Sequence, residues 1–217
     1  MKNFLTFFYH FLKDPKEVGA VVPLSKVTSK EMIKHYLKRD KRQPCRILEV
    51  GAGIGNISNE ILLSLSPKDH FDIVEINHAY YKVLTKSFKS HPQVSVHNLS
   101  ILNWSPAYTY HYIISTLPLN SFDVDIVEDV FEHYEALIEV GGVLSYVEYA
   151  GLQRLTEIFT NRKNREKMDK RRKFLKNIQD EFMIEKTLIW RNFLPCHIYH
   201  LILKPLPDCE LKLNVQA

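Results

Sequence analysis

Short apolar runs alternate along the chain with segments in which apolar residues recur every three or four positions. CRILEV (residues 45–50) and FDIVEI (71–76) are two such runs, and each is followed by a segment of helical periodicity. The alternation continues through QVSVHNL, YHYIISTLP, VDIVEDVFEHYEALIEV and GVLSYVEY. Runs rich in β-branched residues predict buried strands, and the periodic segments predict amphipathic helices. We therefore expect an α/β fold with a doubly wound, mostly parallel sheet.

The last two apolar runs, IEKTLIWRN and HIYHLILKP, are separated only by FLPC. A connection this short favours an antiparallel pair of strands, because a parallel pair needs a longer crossover. The sequence thus predicts a seven-stranded sheet that ends in an antiparallel C-terminal edge hairpin.

The beginning of the chain carries an aromatic stripe. Phe4, Phe7, Phe8, Phe11 and Leu12 follow helical spacing and predict an amphipathic helix. Such a helix is too short to cross a bilayer, but it can lie on a membrane surface. The alternative is that the stripe packs against the protein's own core. A turn through GAVVP then leads to a second helix, for which Ser25 or Thr28 can supply the N-cap.

Charge is distributed unevenly along the 217 residues. The net charge is +4, but the segment from Arg154 to Lys176 holds ten Lys/Arg and three Asp/Glu, a local charge of +7. The remaining residues therefore sum to −3. A basic segment of this kind suits an anionic membrane surface or the phosphates of a nucleic acid, and a merely solvated helix face is the alternative.

Cysteine and histidine spacing gives no sign of a disulfide framework or a metal site. The three cysteines are far apart, with no CxxC pair, and the ten histidines include no HExxH motif. We expect no bound metal.

The stretch LEVGAGIGNIS (48–58) carries the strongest chemical signal. Glu49 precedes glycines at 51, 53 and 55, and Glu75 ends the next predicted strand. The spacing departs from the GxGxxG of dinucleotide-binding loops, and a carboxylate within the loop suits a cationic amino-acid group better than a pyrophosphate. Glu75 is placed to bind both hydroxyls of a ribose. A ligand with an amino-acid end and a ribose end is S-adenosylmethionine, which becomes S-adenosylhomocysteine after methyl transfer.

By these residues the chain resembles the class I S-adenosylmethionine-dependent methyltransferases, which implies a Rossmann-like fold. The expected cofactor-binding residues are Glu49, Gly51, Ala52, Gly53, Gly55, Glu75, Ile76, Ser100, Ile101 and Ser115. Ser100 stands where that class tends to carry an Asp that binds the adenine amino group.

Three further segments resemble the bacterial phospholipid N-methyltransferase family: FLKDPKEVGAVVPLSK, STLPLNSF and WRNFLPCHIYHLIL. This resemblance implies methyl transfer to the head-group amine of phosphatidylethanolamine, its methylated forms or a related aminolipid. Leu117, Pro118 and Tyr149 are the expected acceptor-site residues, since aromatic faces accommodate a cationic head group. Tyr146, three residues before Tyr149, should point to the opposite face of its strand.

The expected organisation is a single methyltransferase domain over residues 1–217. It comprises an N-terminal amphipathic helix and turn (1–28), a cofactor-binding core (45–150), a basic helical insertion (151–184) and closing strands (185–204). We expect a monomer in the cytoplasm, attached peripherally to the inner face of the membrane, with an anionic membrane surface and an aminophospholipid as its partners.

Two other functions are compatible with parts of the sequence. STLPLN also resembles the Asn/Asp-Pro-Pro-Tyr-like motif that holds a flipped adenine, which would make the chain an rRNA or other nucleic-acid adenine N6-methyltransferase. Leu119, however, stands where that motif has its stacking aromatic residue. A non-enzymatic membrane-binding module would have no use for Glu49 and Glu75.

Overall fold

A computed structural model describes residues 24–149, 162–190, 192 and 194–207. Its seven strands are β1 (Arg46–Val50), β2 (His70–Val74), β3 (Val94–His97), β4 (Tyr110–Ser115), β5 (Ile138–Tyr149), β6 (Met183–Ile189) and β7 (Cys196–Leu201). They form one sheet in the order β3-β2-β1-β4-β5-β7-β6. The first five strands are parallel, while β7 is antiparallel to both β5 and β6. This is the Rossmann-like sheet with an antiparallel edge pair that the sequence predicts.

Helices cover both faces of this sheet. The α-helices of the described residues are α1 (Lys26–Met32), α2 (Lys34–Leu37), α3 (Asn56–Leu62), α4 (His78–Phe88), α5 (Val124–Leu137) and α6 (Arg162–Phe182). Apolar residues of α1 to α4 pack on one face, and those of α5 and α6 pack on the other. Two buried clusters result, one on each side of the sheet.

Local hydrogen bonds explain where several helices begin. The Ser25 hydroxyl accepts a hydrogen bond from the Thr28 amide at 3.2 Å and caps α1, as predicted. Asn77 caps α4 by accepting from the amides of Ala79 and Tyr80. Gly55 precedes α3 in a left-handed conformation, with φ of 88°. The N-caps at Asn77 and Gly55 lie at the carboxyl edge of the sheet, next to the expected cofactor site.

The direction of strand order reverses between β1 and β4. From β1 the chain proceeds outward through β2 and β3, then returns to place β4 on the other side of β1. Ligands of open α/β sheets bind at such a switch point, beyond the carboxyl ends of the strands. The glycine loop after β1 lies there.

A buried carboxylate holds β2, the strand that directly precedes Glu75. Asp72 of β2 accepts hydrogen bonds at 2.8 Å from the hydroxyls of Tyr108 and Tyr110 and from His97 Nε2. Burial alone would raise the pKa of Asp72, but these hydrogen bonds lower it below its ordinary value.

Several predicted boundaries differ from the structure. Helix α5 ends at Leu137, earlier than its periodic segment suggests, and β5 begins at Ile138 and runs for 12 residues. Ile138 has strand dihedral angles and is fully buried beside Tyr110, so the packing of a sheet residue overrides the helical pattern. The predicted N-terminal helix and its turn lie outside the described residues, as does the segment 150–161 at the start of the predicted basic insertion.

Candidate active site

The glycine loop connects β1 to α3 and bends back over the sheet edge. The Gly51 amide donates to the carbonyl of Val74 on β2, and the Gly55 amide donates to the carbonyl of Ala52. Gly53 has φ of 57°, and a Cβ built on it would meet no protein atom within 4 Å. Gly53 thus has a left-handed backbone conformation and faces open space at the switch point. This space forms a cradle in which a ligand can approach the backbone closely.

Glu49 lies beneath this loop and is completely buried. Its Oε2 atom accepts a hydrogen bond from the Ser58 hydroxyl of α3 at 2.5 Å, while its Oε1 atom is buried with no partner. Burial raises the pKa of Glu49 to about 8, against the lowering effect of the Ser58 hydrogen bond. A buried carboxylate oxygen without a partner fits a ligand that brings a cationic amine, as the methionine end of S-adenosylmethionine does.

Glu75 follows β2 and supports the loop from the other side. Its two oxygens accept from the amides of Gly53 at 2.9 Å and Asn77 at 2.7 Å. Burial raises its pKa, and the backbone hydrogen bonds oppose that effect. Because each carboxylate oxygen can accept more than one hydrogen bond, the same group can hold the loop and bind a ribose.

An apolar pocket opens beside Gly51 at the switch point. Predicted residues that line it are Gly51, Ile76, Ser100, Ile101 and Leu117. Val50, Val74 and Leu99 also line it and were not predicted. The Ser100 hydroxyl accepts from the Leu102 amide at 3.3 Å and caps a short 3₁₀ turn (Ile101–Asn103). Its second lone pair leaves the predicted contact to an adenine amino group feasible.

The chain after β4 forms a tight turn at the same sheet edge. The Leu119 amide donates to the carbonyl of Leu117 at 2.8 Å across Pro118, whose φ and ψ are −76° and 65°. These angles are those of an inverse γ-turn. Leu117 packs against Gly51, where an added Cβ would lie 3.3 Å from its side chain. The predicted acceptor residues Leu117 and Pro118 are therefore adjacent to the glycine loop.

Ser115 and Thr116 secure this turn with their hydroxyls. Ser115 is fully buried and accepts from the Tyr134 hydroxyl at 2.8 Å, so its side chain supports the loop from behind. Thr116 donates to the carbonyl of Gly51 at 2.5 Å and links the acceptor loop to the glycine loop. Ser115 is a predicted cofactor contact, whereas the hydrogen bond made by Thr116 was not predicted.

Tyr146 and Tyr149 face opposite sides of the sheet, as predicted from their spacing. Tyr146 is buried in the cluster under α5 and α6 and stacks on Tyr199. Tyr149 is partly buried and packs against the other cluster. Since Leu117 belongs to the first cluster, Tyr149 approaches the sheet edge from the face opposite to Leu117. Its assignment to the acceptor pocket stays a prediction.

Ser58 and Leu99 are site residues that were not predicted, although the sequence holds a weak signal for each. Ser58 lies three residues after Gly55, on the first turn of α3 where a hydroxyl can reach back to β1. Leu99 directly precedes Ser100. Among the described residues, no group of three or more His, Cys, Asp or Glu is placed to hold a metal ion, and no helix is long and apolar enough to cross a membrane.

Solved methyltransferases share this fold. The N-methyltransferase NodS from Bradyrhizobium japonicum WM9 is similar with a TM-score of 0.60 and 13% identity, over 82% of this chain and 94% of that one. The magnesium protoporphyrin IX methyltransferase from Synechocystis PCC 6803, with bound S-adenosylmethionine, is similar with a TM-score of 0.59 and 11% identity, over 82% and 78%. The CurJ carbon methyltransferase is similar with a TM-score of 0.58 and 16% identity, over 81% of this chain but only 53% of that one.

These three methyltransferases act on different acceptors, so the shared fold does not identify the acceptor of this chain. The cofactor is S-adenosylmethionine, and the buried, unpaired oxygen of Glu49 and the open cradle at Gly53 fit it. The fold and the residues at the switch point therefore fit an S-adenosylmethionine-dependent methyltransferase.

No curated protein matches the sequence significantly. A family model does match, over residues 2–141, and its description is ribosomal RNA adenine dimethylase. The match is not to the phospholipid N-methyltransferases that the resemblance suggested, and it favours the adenine-methylating alternative. It covers the glycine loop and the acceptor turn and ends within β5. On this match, the chain belongs to the ribosomal RNA adenine dimethylase family.

Proposed function

We propose that this chain transfers methyl groups from S-adenosylmethionine to the head-group amine of a membrane aminolipid. The observation that carries the proposal is the acceptor turn after β4. In the Asn/Asp-Pro-Pro-Tyr-like pattern the first and last positions correspond to Thr116 and Leu119. The Thr116 hydroxyl donates a hydrogen bond to the Gly51 carbonyl, and Leu119 is only 1% exposed. The turn therefore has no aromatic side chain to stack on a flipped adenine, and the hydroxyl proton of Thr116 is already used within the protein.

The outer surface of the sheet edge at β6 also supports contact with lipid. Ile184, Leu188 and Trp190 alternate along β6 and its end, and their exposed fractions are 46%, 37% and 73%. Lys186 and Leu188 project from the same face of β6, while Ile184 lies at a register irregularity and Trp190 follows the end of the strand. Tryptophan and aliphatic side chains next to a cation are typical of surfaces that contact the lipid interface.

Helix α6 adds positive charge next to this strand, which it directly precedes. Its inward stripe contains Phe174, Leu175 and Ile178, while basic residues cover its solvent side. The exposed cations are Arg165, Lys167, Lys170, Arg172, Lys173 and Lys176. Each basic residue near an anionic bilayer contributes about 1 kcal/mol, so the helix supports binding to anionic lipid.

Different residues at the sheet edge would bind the cofactor and orient the acceptor. Glu49 would hold the cationic amino group of the cofactor, and Glu75 would hold its ribose. When bound, the cofactor supplies a methyl group already activated by a sulfonium. Leu117 and Pro118 shape an apolar approach to that methyl group, so the protein's contribution is mainly to align the acceptor nitrogen and exclude water. Tyr149 is the proposed aromatic contact to a methylated, cationic head group.

Adenine in RNA is the second candidate acceptor, and the family match supports it. The basic helix suits RNA phosphates as well as it suits lipid phosphates. If RNA is the substrate, the base must be held by groups other than Thr116 and Leu119.

One experiment separates the two acceptors. The purified chain is incubated with radiolabelled S-adenosylmethionine and either vesicles of phosphatidylethanolamine and phosphatidylglycerol or protein-free ribosomal RNA. We expect label in extracted lipid, appearing as mono-, di- or trimethylated head groups. Label confined to N6-methylated adenine would replace the lipid proposal with the RNA one. Vesicles of phosphatidylglycerol alone serve as the control without an amine.

A further inference from the structure

A second carboxylate, unrelated to the predicted cofactor site, lies at the edge of the sheet that carries the acceptor turn. Tyr146 of β5 pairs with Ser115, the last residue of β4. Glu148 is two residues farther along β5, beyond this pair, on the same face as Tyr146. Leu117 and Leu119 of the acceptor turn belong to the buried cluster on that face. Glu148 therefore lies beside the acceptor turn.

The side chains nearest to Glu148 are polar but uncharged. The Nε2 atom of Gln179 on α6 is 3.4 Å from Oε1 of Glu148 and makes a shorter bond, 2.7 Å, to the Tyr146 hydroxyl. The side chains of Tyr146 and Asn120 also lower the pKa of Glu148. Among the described residues, no lysine or arginine forms an ion pair with Glu148. The carboxylate is partly buried without a counter-ion in contact.

Asn120 connects this carboxylate to the acceptor turn. It follows Leu119 directly, and its side chain lies close enough to Glu148 to lower the pKa of that carboxylate. Within the part of the chain that the structure describes, its Oδ1 atom is buried and has no hydrogen-bond partner. An unpaired carbonyl oxygen and an uncompensated carboxylate thus lie together at the acceptor turn, and both are acceptors for the N–H groups of an ammonium ion.

We propose that Glu148 and Asn120 form the subsite for the protonated acceptor amine, in which Glu148 takes the proton that the amine must lose before methylation. This inference rests on the proposed lipid function, because adenine carries a neutral amino group and has no such proton to lose. It adds to that function a residue on β5 that neither the glycine motif nor the acceptor turn contains.

The ammonium R–NH₃⁺ gives one proton to the Glu148 carboxylate, which leaves R–NH₂ and a neutral carboxylic acid. The lone pair of the amine nitrogen then attacks the methyl carbon of the sulfonium, and the electron pair of the carbon–sulfur bond passes to sulfur. The products are R–NH₂CH₃⁺ and S-adenosylhomocysteine. Glu148 returns its proton to solvent before the next cycle.

The charges around Glu148 are compatible with this role. Burial raises its pKa to about 7, while Lys186 of β6 and Arg171 of α6 oppose that rise without contacting it. Among the described residues, Tyr146, and Tyr199 and His197 on β7, also lie near it. A group with a pKa close to neutrality can both accept a proton from an ammonium and release it to water.

The test compares Glu148→Gln with Glu181→Gln, a matched loss of one negative charge at an exposed position of α6. Initial rates on phosphatidylethanolamine vesicles are measured from pH 5.5 to 9, and S-adenosylhomocysteine affinity is measured by calorimetry. We expect Glu148→Gln to lower kcat by about 100-fold and to abolish the acidic limb of the profile near pH 7. Its S-adenosylhomocysteine affinity should be unchanged, and Glu181→Gln should behave like the wild type. Glu148→Asp should retain an acidic limb.

Each other outcome is also informative. A Glu148→Gln variant with the wild-type rate and the wild-type acidic limb overturns the subsite, while lipid methylation itself stands. A wild-type chain that labels RNA and no lipid overturns the proposed function and the subsite with it. A Glu148→Gln variant that loses S-adenosylhomocysteine binding assigns the residue to structure and also overturns the subsite.

Discussion

Replacing Glu49 by glutamine tests the cofactor site through both folding and binding. The substitution keeps the shape of the side chain and its bond from Ser58, but it removes the ability to carry a negative charge. In the absence of ligand the carboxylate is buried with one unpaired oxygen, so its ionised form is unfavourable in the folded chain. Glutamine should therefore stabilise the ligand-free protein and weaken cofactor binding.

The size of the folding effect follows from the pKa. Burial raises the pKa of Glu49 from its ordinary 4.5 to about 8. Because the folded-state pKa is the higher one, the wild-type residue favours folding fully below pH 4.5, and this contribution is lost as the pH rises to about 8. At about 1.36 kcal/mol for each pKa unit, the loss is of the order of 5 kcal/mol at most. The Glu49→Gln variant has no ionisable group at this position. Its excess in free energy of unfolding over the wild type should therefore grow over the same pH range.

The assay is urea unfolding at pH 5 and pH 8.5 without ligand, followed by calorimetric titration with S-adenosylmethionine. We expect similar free energies of unfolding for wild type and Glu49→Gln at pH 5 and a variant that is more stable by a few kcal/mol at pH 8.5. Cofactor affinity should fall about 10- to 100-fold, the value of a charge-assisted hydrogen bond. Glu128→Gln, at an exposed position of α5, is the control. Equal stabilities at both pH values together with unchanged affinity would refute the reasoning.

Three further outcomes are expected. Gly53→Val should weaken S-adenosylmethionine binding by calorimetry far more than it lowers stability, because its side chain enters the open cradle and the left-handed backbone costs only about 1–2 kcal/mol. Asp72→Asn should cost about 3 kcal/mol in urea unfolding at pH 7. Since the folded-state pKa of Asp72 is lowered, that cost should shrink as the pH falls through its ordinary value of 3.8 and below, and a cost independent of pH would contradict it. Sedimentation with phosphatidylglycerol vesicles should decrease between 0.1 M and 1 M salt as the Debye length falls from about 10 Å to about 3 Å, whereas binding that ignores salt would argue against a role for the cations of α6.

The main elements of the fold can be predicted from sequence because their signals are local. Short apolar runs identify the strands, and helical periodicity identifies the helices. The short FLPC connection predicts the antiparallel edge pair. The boundary at Ile138 could not be predicted, since the helical pattern continues through it and only pairing with β4 decides the conformation. The cofactor loop was predictable because its glycines and two carboxylates are close in sequence.

The sequence by itself indicated the cofactor, since Glu49, the glycines and Glu75 follow the spacing of the class I methyltransferase motif. It did not determine the acceptor, because the acceptor turn resembles the motifs of two classes of methyltransferase. Only the tertiary structure placed Thr116 on the Gly51 carbonyl and buried Leu119 in the core. Only the tertiary structure also brought Glu148 to Asn120, 28 residues away in the chain. The physical reason is that a hydrogen bond between distant residues depends on strand register and helix packing, which no local pattern of side chains encodes.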